Sequence, residues 1–128
     1  MHQCDALPDS SCRVDVMAVH WYDPQCTAER LAAYLNGFKQ FNRPIWITEF
    51  DCFQGDWDAN IKLAQSVLPS LLAGNLTSAV EVERFAWYTT RQIPPNAYYH
   101  GVSLFNDTVP PGTVQLTELG KVYASATA

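Results

Sequence analysis

Pro44-Ile45-Trp46-Ile47-Thr48-Glu49-Phe50 is an apolar, partly β-branched run that ends on a carboxylate. Pro44 opens an extended stretch, and a short hydrophobic run of this kind reads as a buried strand. A strand buried on both faces does not hold a charge unless a site uses it. In a parallel α/β barrel the C-terminal strand ends line the active site. Glu49 is therefore a candidate nucleophile or proton carrier. Even–odd alternation puts Glu49 on one face with Ile45 and Ile47, and turns Trp46 the other way, into a sheet–helix layer.

The segments on either side have the same character. Val14 to Tyr22 reads as a strand, with Val14, Val16, Ala18, His20 and Tyr22 on one face. Both of its faces are largely apolar, as in a parallel strand covered on both sides. Thr27 is an expected N-cap for a helix reaching Gln40, whose inner stripe is Leu31, Tyr34, Leu35, Phe38 and Phe41. After the PIWITEF strand, Asp56 or Asp58 is placed to cap a helix carrying Ile61, Ala64, Val67, Leu68, Leu71 and Leu72. Pro69 is expected to kink or interrupt it, and Gly74 to end it.

Ala79 to Thr89 reads as a third strand, with Glu81, Glu83, Phe85 and Trp87 on one face. A proline-rich loop from Thr90 to Gln115 follows, long enough to suggest function or a missing partner surface. Thr117 then caps a last helix. Strands alternating with helices mean a parallel α/β fold. Three strands do not close a barrel, which has eight and needs about 250 residues. Such a sheet leaves two apolar edges, a route to self-association.

The chain has 128 residues, 48% hydrophobic and 16% charged, with a net charge of −5. That composition is globular, and its acidic balance argues against nucleic acid or an anionic membrane as partner. No apolar run approaches the ~20 residues that span a bilayer. The N-terminus lacks the basic-then-apolar pattern of a signal peptide. The four cysteines form no Cys-x-x-Cys pair and have no metal-like spacing to His20 or His100, so no structural metal site is expected. Sequons at Asn75 and Asn106 are compatible with an extracellular protein.

Four blocks, taken in order, carry a resemblance: CRVDVMAVHWY (Cys12 to Tyr22), RPIWITEFDC (Arg43 to Cys52), VERFAWY (Val82 to Tyr88) and QLTELGKVY (Gln115 to Tyr123). With them the chain resembles the C-terminal part of glycoside hydrolase family 128. The resemblance implies a partial (β/α)8 TIM barrel, in which the strands are the sixth, seventh and eighth. It implies an incomplete glycosyl hydrolase catalytic domain spanning residues 1–128 and acting on β-1,3-glucan. It also implies an extracellular or cell-wall location. In the family the glutamate ending the PIW-type strand is the nucleophile, a role that falls on Glu49. The family's proton donor lies in an Asn-Glu-Pro-like motif, which this sequence lacks; the nearest string is Asn42-Arg43-Pro44.

Retaining glycoside hydrolysis needs two carboxyl groups about 5–5.5 Å apart, one ionised and one holding a proton. It needs no cofactor. Asp51 points the way Glu49 does only if the strand continues that far. Glu81 and Glu83 sit near a strand start, where pairing with Arg84 or another cation is the expected role. His20 and Tyr22 end the first strand on one face and are candidates to bond sugar hydroxyls or orient Glu49; for a lone histidine the plainer reading is a hydrogen-bonded core residue.

Trp87 is a candidate platform for the C–H face of a sugar, against the plainer reading of core packing. Phe53, Trp57, Tyr98, Tyr99 and His100 are candidates for outer subsites. Cys26 and Cys52 each lie just past a strand end and are a possible disulfide, as are Cys4 and Cys12; free buried thiols are the alternative. Asp23, Asp51, Asp56 and Asp58 lack a calcium-loop pattern, so helix capping and loop solvation are expected of them. Two further readings compete: a glucan-binding module without catalysis, and a truncated gene product.

Overall fold

A computed structural model describes residues 14–53, 56–91, 101–106, 108–110 and 112–128. Strand β1 (Met17–Tyr22), helix α1 (Ala28–Asn36), strand β2 (Ile45–Asp51), helix α2 (Trp57–Leu72), strand β3 (Val82–Trp87) and helix α3 (Glu118–Thr127) follow in order. The strands form a parallel sheet in the order β1-β2-β3. The architecture is a mixed α/β fragment built on that three-stranded sheet.

Local side-chain chemistry starts each helix. Thr27 caps α1 by accepting from Arg30 N, Asp56 caps α2 by accepting from Ala59 N, and Thr117 caps α3 by accepting from Gly120 N. Helix α1 ends at Asn36, short of the expected Gln40. The chain then makes a separate 3-10 turn (Lys39–Phe41), closed by Asn42 at φ 47°. Asparagine tolerates this left-handed conformation, so the turn is a stop signal of its own. Pro69 does not interrupt α2, which runs to Leu72. Pro69 lies in the last turn, and the burial of Leu68 and Leu71 beside it holds that turn against the core. Gly74, at φ 66°, follows as expected.

The core lies between the sheet and the helices. Val19 and Trp21 of β1, and Ile45, Ile47 and Phe50 of β2, join Leu31, Leu35, Leu63, Val67 and Leu119 in one buried cluster. Phe85 and Trp87 of β3 pack on Phe50, at ring separations of 6.3 and 5.0 Å. The strands are shorter at their starts than their apolar runs suggest. β1 begins at Met17, and ahead of it Val14 offers its carbonyl to the Arg43 side chain at 2.7 Å. β3 begins at Val82 because Thr77 turns the chain back, its hydroxyl accepting from Ala79 N at 3.1 Å.

Two bulges overturn the simple alternation. Val19 pairs with Ile47 but His20 pairs with Glu49, so Thr48 is an extra residue in β2. Ile45 pairs with Val82 but Trp46 pairs with Arg84, so Glu83 is extra in β3. After Thr48 the faces exchange. Glu49 leaves the face of Ile45 and Ile47 and joins that of Trp46, opposite to the expectation from alternation. Trp46 is likewise not in the sheet–helix layer. It lies on the open face, under the Arg84 guanidinium at 4.8 Å, and donates to Glu83 Oε2 at 2.9 Å. Glu83 thus bonds an indole rather than a cation.

The described end of the long loop is not loose. Val102, Ser103 and Leu104 are buried, and Leu104 N and Phe105 N bond to Thr89 O and Thr90 O at 3.2 and 2.8 Å. Phe105 bridges antiparallel to Leu116. Tyr98, Tyr99, His100, Cys4 and Cys12 fall outside the described residues.

Candidate active site

The face of the sheet turned away from the helices carries His20 and Tyr22 at the C-terminal end of β1 and Glu49 at that of β2. The Tyr22 hydroxyl donates to Glu49 Oε2. His20 Nδ1 lies 3.4 Å from the same oxygen, and the Glu49 side chain is 34% exposed. Tyr88, just past β3, sets its ring edge-on to Tyr22 at 6.0 Å. Burial, together with the bond to Glu49 and the negative charge around it, pushes the Tyr22 phenol far above its ordinary value. Tyr22 therefore stays a neutral donor at any working pH. The carboxylate has one oxygen engaged by Tyr22 and near His20, an arrangement that orients it.

Trp87 is not part of this group. Its ring packs on Phe50, its indole N–H donates to Val102 O at 2.9 Å, and it is 6% exposed. Trp87 pairs with Phe50 across the sheet, so it faces the helices while Glu49 faces away. The physical reason is again register, since the bulge that turns Glu49 outward keeps Phe50 and its partner inward. The sugar platform expected at Trp87 is a core tryptophan.

Asp51 and Tyr88 enter the site instead. β2 does continue to Asp51, which pairs with Tyr22 and so returns to the face of Glu49. Asp51 is fully buried. Burial, and then the charge of Glu49, pushes its carboxyl up to about 7. The signal for Asp51 was its i, i+2 spacing from Glu49. Tyr88 carried no such signal, because its contact with Tyr22 is made across the sheet.

The loops at these strand ends are tied down. Cys26 and Cys52 are joined by a disulfide, with Cα atoms 5.0 Å apart. Asp23 accepts from Gln25 N and Cys26 N at 2.7 and 3.2 Å and pairs with Arg30 at 2.6 Å, and Arg30 holds its carboxyl below the usual range. Buried Asn60 accepts from Cys52 N at 2.9 Å, tying the segment after Glu49 to α2. Opening the disulfide, with a sequence separation of 26, as Cys26→Ser/Cys52→Ser is expected to lower unfolding free energy by about 3 kcal/mol, read by urea melting. An unchanged midpoint would mean that the hydrogen bonds of Asp23 and Asn60 alone hold the loops.

Asp56 caps α2 and Asp23 is satisfied by Arg30, and among the described residues no group of ligands suits a metal ion. Phe53 is exposed. Trp57 lines a hollow with Ile61, Asn106, Thr117 and Glu118, and neither Glu49 nor its partners line it. Among the described residues the sheet has three strands, and Glu49 stands on its face away from the helices, partly exposed.

Comparison with known proteins matches residues 1–123 to the glycosyl hydrolase catalytic core. Alkali-sensitive linkage protein 1 of Schizosaccharomyces pombe is 31% identical over 118 residues, 91% of this chain and 21% of that protein. The crystal structure of a GH128 (subgroup II) endo-β-1,3-glucanase from Pseudomonas viridiflava is similar with a TM-score of 0.64 and 27% identity, over 88% of this chain and 39% of that one. A GH128 (subgroup I) endo-β-1,3-glucanase from Amycolatopsis mediterranei, in complex with laminaripentaose, is similar in fold with a TM-score of 0.65 and 23% identity, over 89% of this chain and 46% of that one. This chain therefore spans less than half the length of each of these proteins. It belongs to the glycosyl hydrolase catalytic core family and is a GH128-like domain.

Proposed function

We propose that this glycosidase-like domain is the C-terminal part of a (β/α)8 barrel, residues 1–128 supplying its last three strands, and that the assembled barrel cleaves β-1,3-glucan with retention. The observation that carries this reading is Glu49 at the C-terminal end of β2, its carboxylate engaged by Tyr22 and adjacent to His20. The likeness to an endo-β-1,3-glucanase supports the substrate class. Glu49 attacks the anomeric carbon, Tyr22 orients it, and His20 bonds a sugar hydroxyl. The second carboxyl group of the mechanism comes from a segment outside these residues, so the chain alone hydrolyses glucan poorly or not at all. Its sheet edges, β1 and β3, have no further strand among the described residues; they are where the remaining strands join, and in their absence they support self-association. The disulfide supports work in an oxidising setting such as the cell exterior or wall.

A chimera tests the reading. The upstream barrel segments of the P. viridiflava glucanase, followed by this chain, should release reducing sugar from laminarin with retained anomeric configuration. Glu49→Gln in that chimera should lower the rate by about 10³-fold or more. A folded chimera equally active with glutamine at position 49 overturns the assignment. The isolated chain, assayed beside it, should show no rate above background; a clear rate there overturns the claim that a second segment is needed.

A further inference from the structure

Asp51 is a buried carboxylate with no job in the reading above. Both of its oxygens are shut off from solvent and find no hydrogen-bond donor among the described residues. Buried polar groups are nearly always paired, so an orphan of this kind asks for an explanation. Its place is specific. It lies two residues after Glu49 on the same face of β2, and its cross-strand partner is Tyr22, the residue that donates to Glu49. The titratable groups around this corner are His20 and Tyr22 of β1, Glu49 of β2 and Tyr88 past β3. The Asp23–Arg30 pair beyond β1 is satisfied within itself, and α2 presents the neutral Asn60. No cation pairs with Asp51 among the described residues.

We propose that Asp51 is a positioning residue for Glu49, a buried acid whose proton keeps the Tyr22–Glu49 hydrogen bond in place. With the proton on, Glu49 is the sole carboxylate charge of this corner and Tyr22 holds it. When Asp51 gives its proton to solvent, a second negative charge appears beside Glu49, itself fully buried while Glu49 is partly exposed. Like charges there repel strongly, and Glu49, the more exposed of the two, moves away from Tyr22. The upward push on the Asp51 carboxyl agrees with this, since burial and the Glu49 charge are its two causes. The inference rests on reading Glu49 as the functional carboxylate.

Carboxyl-carbon NMR of the 128-residue chain between pH 5 and 9, assigned with Asp51→Asn, tests it. Asp51 should titrate with a midpoint near 7. The Glu49 carboxyl and the Tyr22 ring should shift with that same midpoint, and both responses should vanish in Asp51→Asn. Glu49→Gln should lower the Asp51 midpoint, since the Glu49 charge is one of the two causes of its rise; the readout that a merely structural Asp51 would not move is the Tyr22 ring. The proposal is overturned if Asp51 titrates below about 5, or if Glu49 and Tyr22 are silent between pH 6 and 8. Should Asp51→Asn fail to fold, the wild-type chain and Glu49→Gln suffice for that decision. These titrations involve no sugar. Coupling seen without chimera hydrolysis overturns the enzymatic reading and leaves the hold of Asp51 on Glu49 standing; hydrolysis without coupling does the reverse.

Discussion

Gly120→Ala is expected to lower the unfolding free energy by about 3 kcal/mol or more, enough to threaten folding of a small domain. A Cβ at position 120 would stand 2.0 Å from the carbonyl oxygen of Leu104 and 2.9 Å from its carbon. That obstacle is backbone and has little room to move. Leu104 N donates to Thr89 O at 3.2 Å, and Leu104 O accepts from Thr117 N at 3.0 Å. The Thr117 hydroxyl adds a bond to Ser103 O at 2.8 Å. Relief therefore requires either breaking these bonds or lifting α3 off the core, where Leu119 is fully buried. Urea melting followed by circular dichroism measures the loss, with Ser125→Ala on the exposed side of α3 as a control expected within ±0.5 kcal/mol. Equal midpoints for Gly120→Ala and wild type would refute the close approach of α3 to the segment at Leu104.

Asp51→Asn is expected to act in the opposite direction, increasingly as pH rises through the interval over which the Asp51 carboxyl is shifted. In the unfolded chain the Asp51 carboxyl ionises near its ordinary 3.8, whereas in the fold it is pushed up to about 7. Between those values the native state binds more protons than the unfolded state, so stability falls as pH rises through the interval. Above 7 the penalty is complete, on the order of 2–4 kcal/mol for a shift of this size. Asparagine keeps the shape and cannot ionise. The variant should gain by that amount over wild type at pH 8 and differ little at about pH 3.5, below the unfolded value. Urea melts at both pH values give the comparison. Parallel pH profiles for the two proteins would mean that Asp51 ionises as easily in the fold as out of it.

Much of the framework was legible because its determinants are local. The apolar runs around Val19, Ile47 and Phe85 marked the strands, and capping side chains marked the helix starts at Thr27 and Thr117 and narrowed that of α2 to Asp56 or Asp58, of which Asp56 is the cap. The end of α1 was less legible, since the 3-10 turn depends on Asn42 accepting a left-handed conformation rather than on any apolar period. Glu49 was legible as a charge ending a buried strand, and His20 and Tyr22 as neighbours on a shared face. Alternation rightly put Trp87 with Phe85, but which face of the sheet the pair would share is decided by pairing with β2, and both pack on Phe50. Tyr88 was missed because its proximity to Tyr22 exists only across the sheet.

The amino-acid order by itself determined which segments extend and which coil, where helices begin, and that a carboxylate would stand at the end of β2. Those outcomes follow from side-chain size, branching and capping, all of which act within a few residues. Tertiary structure decided which way that carboxylate looks. An extra residue at Thr48 exchanges the faces of β2 only because β1 pairs on either side of it. That single register step brings Glu49 to Tyr22, leaves Trp87 with Phe50 in the core, and puts Asp51 on the face of Glu49, buried and without a hydrogen-bond donor among the described residues. Register is a property of two strands together, so no reading of either strand alone contains it.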